Sequence, residues 1–149
     1  MTFEITPGTP DDVPALLALI KELALYEKAP HEVINTEAQL LADGFGEKPL
    51  YGFYVAKVKE QTVGMALYYY RYSTWKGKVL YLEDLYVKPE YRRLKIGKAL
   101  FERIRQHAIA NHCRRISWQV LHWNEPAIQF YKQLGAVFDA EWLNGFIDC

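Results

Sequence analysis

The densest set of reactive side chains lies between residues 83 and 98. Glu83 and Asp84 sit inside an otherwise apolar run, Tyr81-Leu-Glu-Asp-Leu-Tyr-Val87. Arg92, Arg93, Lys95 and Lys98 crowd the turn that follows, and a helical pattern starts at Ile96. A helix start presents free backbone N–H groups and the positive end of the helix dipole, which makes it an anion site. Four cations there suit a pyrophosphate, and the arginine fork matches phosphate oxygens. The same residues would also make an ordinary solvated basic turn, so residue types alone leave both readings open. Glu83 is similarly open: a strand carboxylate between apolar neighbours is either functional or paired at the surface.

Other chemistries find no support. Cys113 and Cys149 show no paired-ligand spacing, nor do His31, His107, His112 and His122, so no metal is expected. Lone thiols fit a reducing compartment. Lys and Arg total 18 against 18 Asp and Glu, a balance that argues against a general nucleic-acid binder. The start lacks a basic segment followed by an apolar run, and no stretch of about 20 apolar residues occurs, so a cytoplasmic, membrane-free protein is expected.

The elements that must position these residues alternate between strand and helix. Thr2 to Thr6 reads as a strand. Thr9-Pro-Asp-Asp12 opens a helix whose apolar positions, Val13, Leu16, Leu17, Ile20 and Leu23, carry it to about Tyr26. Thr36 and Gln39 form a possible capping box of a second, short helix that Gly44 stops. Tyr51 to Lys59 and Thr62 to Tyr72 form a hairpin across Glu60-Gln61. Ser73 to Lys78 is a loop, and Val79 to Val87 a central strand. Ile96, Leu100, Ile104 and Ala108, with Phe101, define one helical face. Arg114 to Leu121 is a strand, Asn124 caps a helix that Gly135 ends, and Ala136 to Cys149 holds one or two closing strands. The expected fold is a single α/β (α+β) domain over residues 1–149. Its central mixed, largely antiparallel sheet has about six to seven strands and is flanked by about four helices.

Several blocks together resemble the GNAT acetyltransferases, and within them the spermidine/spermine (diamine) acetyltransferases. Arg92-Arg-Leu-Lys95-Ile-Gly97 is similar to the superfamily's Q/R-x-x-G-x-G/A turn, with Lys95 at the usual glycine and Arg93 where diamine enzymes often have another. Tyr81 to Val87, Trp123-Asn-Glu-Pro-Ala-Ile-Gln-Phe-Tyr131, Gly135-Ala136, Ile20 to Glu27 and Leu40 to Glu47 resemble further blocks, in the same order. We expect the Lys95 backbone to stay right-handed while its charge supplements phosphate binding.

The resemblance implies direct transfer of acetyl from acetyl-CoA to a primary amine, in a homodimer. It implies that Glu83 is a base acting through water and Tyr131 the general acid. CoA would contact Leu85, Tyr86, Val87, Arg92, Arg93, Leu94, Lys95, Ile96, Gly97, Lys98, Asn124, Glu125, Pro126 and Ala127. The amine would meet Tyr26, Glu27, Glu83, Asp84, Ser117, Trp118 and Gln119. Carboxylates for distal ammonium groups would come from Glu27, Glu83, Asp84 and Glu141, and aromatic faces from Trp118 and Tyr26. Tyr68, Tyr69, Tyr70, Tyr72 and Trp75 form an aromatic run that either meets a partner or divides between the two faces of a sheet. The expected substrate is a polyamine, a diamine or a lysine-like small molecule. Acetylation of a protein N-terminus or lysine, and a CoA-binding regulatory module without turnover, are the alternatives.

Overall fold

The computed structural model describes residues 1–149. Its backbone contacts divide it into two compact units, Met1–Trp118 and Gln119–Cys149. In the first unit five strands form one sheet in the order β1-β2-β3-β4-β5: β1 Glu4–Pro7, β2 Gly52–Val58, β3 Gln61–Ser73, β4 Gly77–Val87 and β5 Ile116–Ser117. The first four are antiparallel, and β5 joins β4 in parallel. Helices α1 Val13–Tyr26, α2 Glu37–Phe45 and α3 Ile96–Ala110 complete the unit, and α4 Glu125–Gln133 belongs to the second.

Alternation along the strands decides which helix each face meets. Phe53 and Val55 of β2, Met65 and Leu67 of β3 and Tyr86 of β4 are buried in one cluster with Val13, Leu16, Leu17 and Leu19 of α1 and Leu40 of α2. The intervening residues turn to the other face, where Tyr54 and Tyr68 pack on His107 of α3. The helical face expected of α3 is the buried one: Ile96, Leu100, Ile104, Ala108 and Phe101 are all sequestered. Burying each of the larger side chains stabilises the fold by about 2–3 kcal/mol.

The α1 start is closed by Asp12, whose carboxylate accepts from the Thr9 N–H at 2.9 Å and meets Lys57 Nζ at 3.0 Å. At α2 only half of the expected box forms. Thr36 Oγ1 accepts from the Gln39 N–H at 3.1 Å, but the Gln39 side chain turns to Asp43. Gly44 does not stop this helix, which continues to Phe45 before Gly46. A Cβ on Gly44 would lie 2.5 Å from the Tyr51 ring, so the glycine serves close packing. The β2–β3 turn falls on Lys59 and Glu60, at φ 49° and 69°, one residue earlier than the sequence suggests.

Two strand expectations are corrected. The strand placed at Arg114 to Leu121 pairs only over Ile116–Ser117. Ala136 to Cys149 contains no strand, so the sheet has five strands rather than six or seven. A strand needs a ladder partner. Here the Glu141 N–H and Trp142 Nε1 instead close local turns on Asp139, and Val137, Leu143, Phe146 and Ile147 stand exposed.

Candidate active site

The long β3–β4 ladder carries one irregularity. Leu67 pairs with Asp84, but Tyr68 pairs with Leu82, which leaves Glu83 as the extra residue of a β-bulge. The consequence follows from parity. Leu67 and Tyr69 share the α1 side of the sheet, and their partners Asp84 and Tyr81 share it too although three residues apart. Only the inserted residue makes that possible. Glu83 turns to the same side, where its Oε1 accepts from the Tyr69 hydroxyl at 3.1 Å. Two consecutive carboxylates therefore face one way, an arrangement a regular strand forbids.

A third carboxylate comes from the end of α1, where Glu27 follows Tyr26. The three act on one another. Burial, then Glu83 and Glu27, push the Asp84 carboxyl up to about 7. Burial and the Glu83 charge raise Glu27 as well. Tyr69 is pushed up to about 12 by burial and by Glu83. Such a cluster suits a cation, since an ammonium would relieve its self-repulsion.

β5 pairs with β4 only at Leu80 and Tyr81. From Leu82 to Val87 the β5 side of β4 has no strand beside it, so alternate N–H groups of that stretch are not consumed by the sheet. Leu85, Tyr86 and Val87, expected to contact CoA, lie here, while the Tyr86 side chain is committed to the core.

The basic turn follows directly. Residues Pro89–Leu94 form a 3-10 turn, Lys95 has φ 63° and ψ 26°, and α3 begins at Ile96. Lys95 is thus left-handed, which corrects the expected right-handed conformation. The chain keeps the backbone shape a glycine would give and bears the Cβ cost. Ile96 is buried, Leu94 and Gly97 are half-buried, and Arg93, Lys95 and Lys98 are exposed. Arg92 donates from Nε to the Val87 carbonyl at 3.1 Å, and its guanidinium stands 5.6 Å from the Tyr26 ring centre and 5.7 Å from that of Tyr86. The basic turn and the end of α1 are thereby tied through one side chain. Nearby, Lys88 Nζ meets Glu22 Oε2 at 2.7 Å, which holds α1 on the strand end. The free amides of α3, the left-handed turn and the cations fit a pyrophosphate.

In the second unit Asn124 caps α4, its Oδ1 accepting from the Ala127 N–H at 3.4 Å. Asn124, Ala127 and Tyr131 recur at helical spacing on one face, and both Asn124 and Tyr131 are buried. Glu125 accepts from Gln129, and Pro126 occupies the first turn. Gly135, at φ 93°, lies just beyond the helix end.

Of the substrate-side residues, Tyr26, Glu27, Glu83 and Asp84 gather around the bulge and the end of α1. Ser117 ends β5, and the Trp118 ring packs edge-on to Phe101 of α3 at 5.6 Å. Gln119 is exposed and bonded to Asn144, and Glu141 is exposed. Three residues near the carboxylates were not among the expected substrate-side residues: Tyr69, Tyr81 and Arg71. Tyr69 and Tyr81 pair across the ladder with ring centres 5.3 Å apart, and the Arg71 guanidinium lies 5.1 Å from the Tyr81 ring centre. A two-residue parity count through the tyrosine run would have separated Tyr69 and Arg71 from Tyr68 and Tyr70. Those two belong to the His107 cluster on the other face.

The chain belongs to the Acetyltransferase (GNAT) family, whose model covers residues 16–136. It is an acetyltransferase. It is 45% identical over 129 residues to a thialysine N-epsilon-acetyltransferase of Bos taurus, covering 81% of this chain and 76% of that protein. A thialysine N-epsilon-acetyltransferase of Caenorhabditis elegans is 40% identical over 129 residues, covering 87% and 79%. A spermidine/spermine N(1)-acetyltransferase-like protein 1 of Homo sapiens is 42% identical over 142 residues, covering 91% of this chain and 20% of that protein. Among solved structures, an aminoglycoside N-acetyltransferase in complex with CoA superposes with a TM-score of 0.79 at 17% identity, over 99% of this chain and 96% of that one, a likeness of fold.

Proposed function

We propose that the protein transfers acetyl from acetyl-CoA to a primary amine of a small di- or polyamine or lysine-like molecule, at the carboxylate cluster of the β4 bulge. The observation that carries this is the inserted Glu83, which sets Glu83 and Asp84 on one face beside Glu27. That is a cation-binding site next to the stretch of β4 whose amides the sheet leaves unused. The names of the similar proteins, thialysine and spermidine/spermine acetyltransferases, support the same class of substrate.

The chemistry has three parts. A lysine-like amine, with pKa about 10.4, is neutral in only about one molecule in 2,500 at pH 7, a cost of about 4.6 kcal/mol. The cluster first binds the ammonium, and Glu83 then passes its proton away through water. Asp84, whose carboxyl titrates at about 7, can hold a proton at neutral pH. As the amine adds, an amide N–H of Leu85 to Val87 stabilises the charge on the carbonyl oxygen, worth roughly 3–4 kcal/mol in comparable sites. Tyr131 protonates the leaving thiolate, uphill by about 2 kcal/mol from reference pKa values, and the new ammonium replenishes it. The basic turn from Arg92 to Lys98 holds the pyrophosphate of CoA. The exposed Tyr72 and Trp75 at the β3–β4 end support a homodimer, which light scattering tests.

Thiol release from acetyl-CoA should fall about 100-fold or more in Glu83→Gln and in Tyr131→Phe, with CoA affinity by calorimetry unchanged. Full turnover in both variants would remove these residues from the mechanism. Turnover with a basic peptide but with no small amine would replace the substrate class by a protein.

A further inference from the structure

Beyond the carboxylates, the same face of the β3–β4 ladder carries an ordered series of side chains. The register runs Leu67 opposite Asp84, Tyr69 opposite Tyr81 and Arg71 opposite Val79, with Glu83 inserted beside Asp84. Leu67, Tyr69 and Arg71 alternate onto one side. That side is the one on which Leu67 joins the α1 cluster and Tyr69 reaches Glu83. The stripe therefore begins with a carboxylate cluster, continues as a pair of aromatic rings and ends in a guanidinium.

Arg71 is set apart by what it touches. It takes part in none of the ion pairs of the chain. Its contact is with the Tyr81 ring, 5.1 Å from the centroid. The arginine charge reaches Tyr69 and Tyr81, where it opposes the upward push of Glu83. An exposed arginine resting on an aromatic face keeps its hydrogen-bonding fork uncommitted, and that fork matches a carboxylate.

We propose that Arg71 is a specificity-determining residue that receives the carboxylate of an amino-acid substrate whose ω-amine lies in the Glu83, Asp84 and Glu27 cluster. The proposal rests on the amine-acetyltransferase reading and names the substrate class within it. The dimensions agree. Four strand residues separate the Cα of Leu67, opposite Asp84, from that of Arg71, about 13 Å. An extended lysine-like amino acid holds its ω-nitrogen and carboxylate about 7–8 Å apart, and the carboxylate and arginine side chains span the remainder. The walls between are the rings of Tyr69 and Tyr81, suited to the aliphatic or thioether middle of such a molecule. The same cation disfavours a polyamine, because a distal ammonium extending along the stripe would meet Arg71 rather than another carboxylate.

The test compares amines that differ only by the carboxylate: thialysine against bis(2-aminoethyl) sulfide, and lysine against cadaverine, each with acetyl-CoA. Wild type should prefer the carboxylated member of each pair by at least about 10-fold in kcat/KM. Arg71→Ala should lower kcat/KM for thialysine by about 10–100-fold, mostly through KM, while the diamine changes less than about 3-fold or improves. Arg71→Glu should invert the preference. An unchanged thermal midpoint is expected for these exposed substitutions, and Arg71→Lys should restore part of the preference. A wild-type enzyme that favours the diamines, or an Arg71→Ala loss equal for both members of a pair, would overturn the assignment while leaving amine acetylation intact. Absence of turnover with every amine, in protein that binds CoA, would instead overturn the amine-acetyltransferase reading and this assignment with it.

Discussion

Replacing Lys95 separates two contributions that the basic turn combines. Lys95 holds φ 63° and ψ 26°, a conformation that costs a residue with a Cβ about 1–2 kcal/mol. Glycine removes that cost but loosens the unfolded chain, which returns about 0.4–1 kcal/mol. Lys95→Gly should therefore stabilise the fold by about 0.5–1 kcal/mol, a rise in Tm of about 1–4 °C for a chain of this size. Lys95→Ala keeps the Cβ and should give no rise. Both variants lose an exposed charge at the start of α3, worth about 0.3–1 kcal/mol toward a bound pyrophosphate. CoA affinity by calorimetry should weaken about 2–5-fold in each, and the difference should shrink at high salt. Equal Tm gains in the two variants would refute a left-handed Lys95. CoA binding as tight or tighter in Lys95→Gly would refute a role for its charge.

Three further outcomes follow from the geometry. The Asp84 carboxyl titrates at about 7 in the fold and at about 3.9 unfolded, so the native state holds the extra proton between those values. Stability should fall as pH rises from about 4 to 7. Asp84→Asn should flatten that slope in urea titrations, matching wild type near pH 4 and exceeding it by a few kcal/mol at most near pH 8. Tyr69→Phe removes the hydrogen bond to Glu83 and should lower kcat/KM about 3–10-fold, with a changed pH profile but unchanged CoA affinity. Ile104, fully buried on α3, should cost 2–5 kcal/mol in chemical denaturation when replaced by alanine, as such truncations do.

Much of the scaffold is written locally. The α1 and α3 faces follow from apolar residues recurring at helical spacing, and Asn124 marks the start of α4 by its capping chemistry. These signals act within a few residues, so the sequence carries them openly. The bulge at Glu83 is different. It is a mismatch between two strands, visible only once the β3–β4 register is known, and it sets Glu83 and Asp84 on one face. The tyrosine run left two readings open in the sequence, and the structure takes the second: strand alternation sends Tyr69 to the carboxylates and Tyr68 and Tyr70 to His107. Lys95 shows a limit of residue preference. The surrounding strand, turn and helix impose the left-handed shape that glycine usually supplies. The brevity of β5 and the absence of strands after Gly135 reflect ladder partners, which apolar content does not specify.

In the proposed reaction acetyl leaves CoA for an amine nitrogen held at the β4 bulge. The most direct measurement is product analysis by mass spectrometry after incubation with acetyl-CoA and thialysine, comparing wild type with the Glu83→Gln, Asp84→Asn double variant. A single acetyl group on the ω-nitrogen, formed by wild type and lost in the double variant while CoA binding persists, is the expected result. Equal product from both proteins, or acetyl found only on the α-nitrogen, would contradict it.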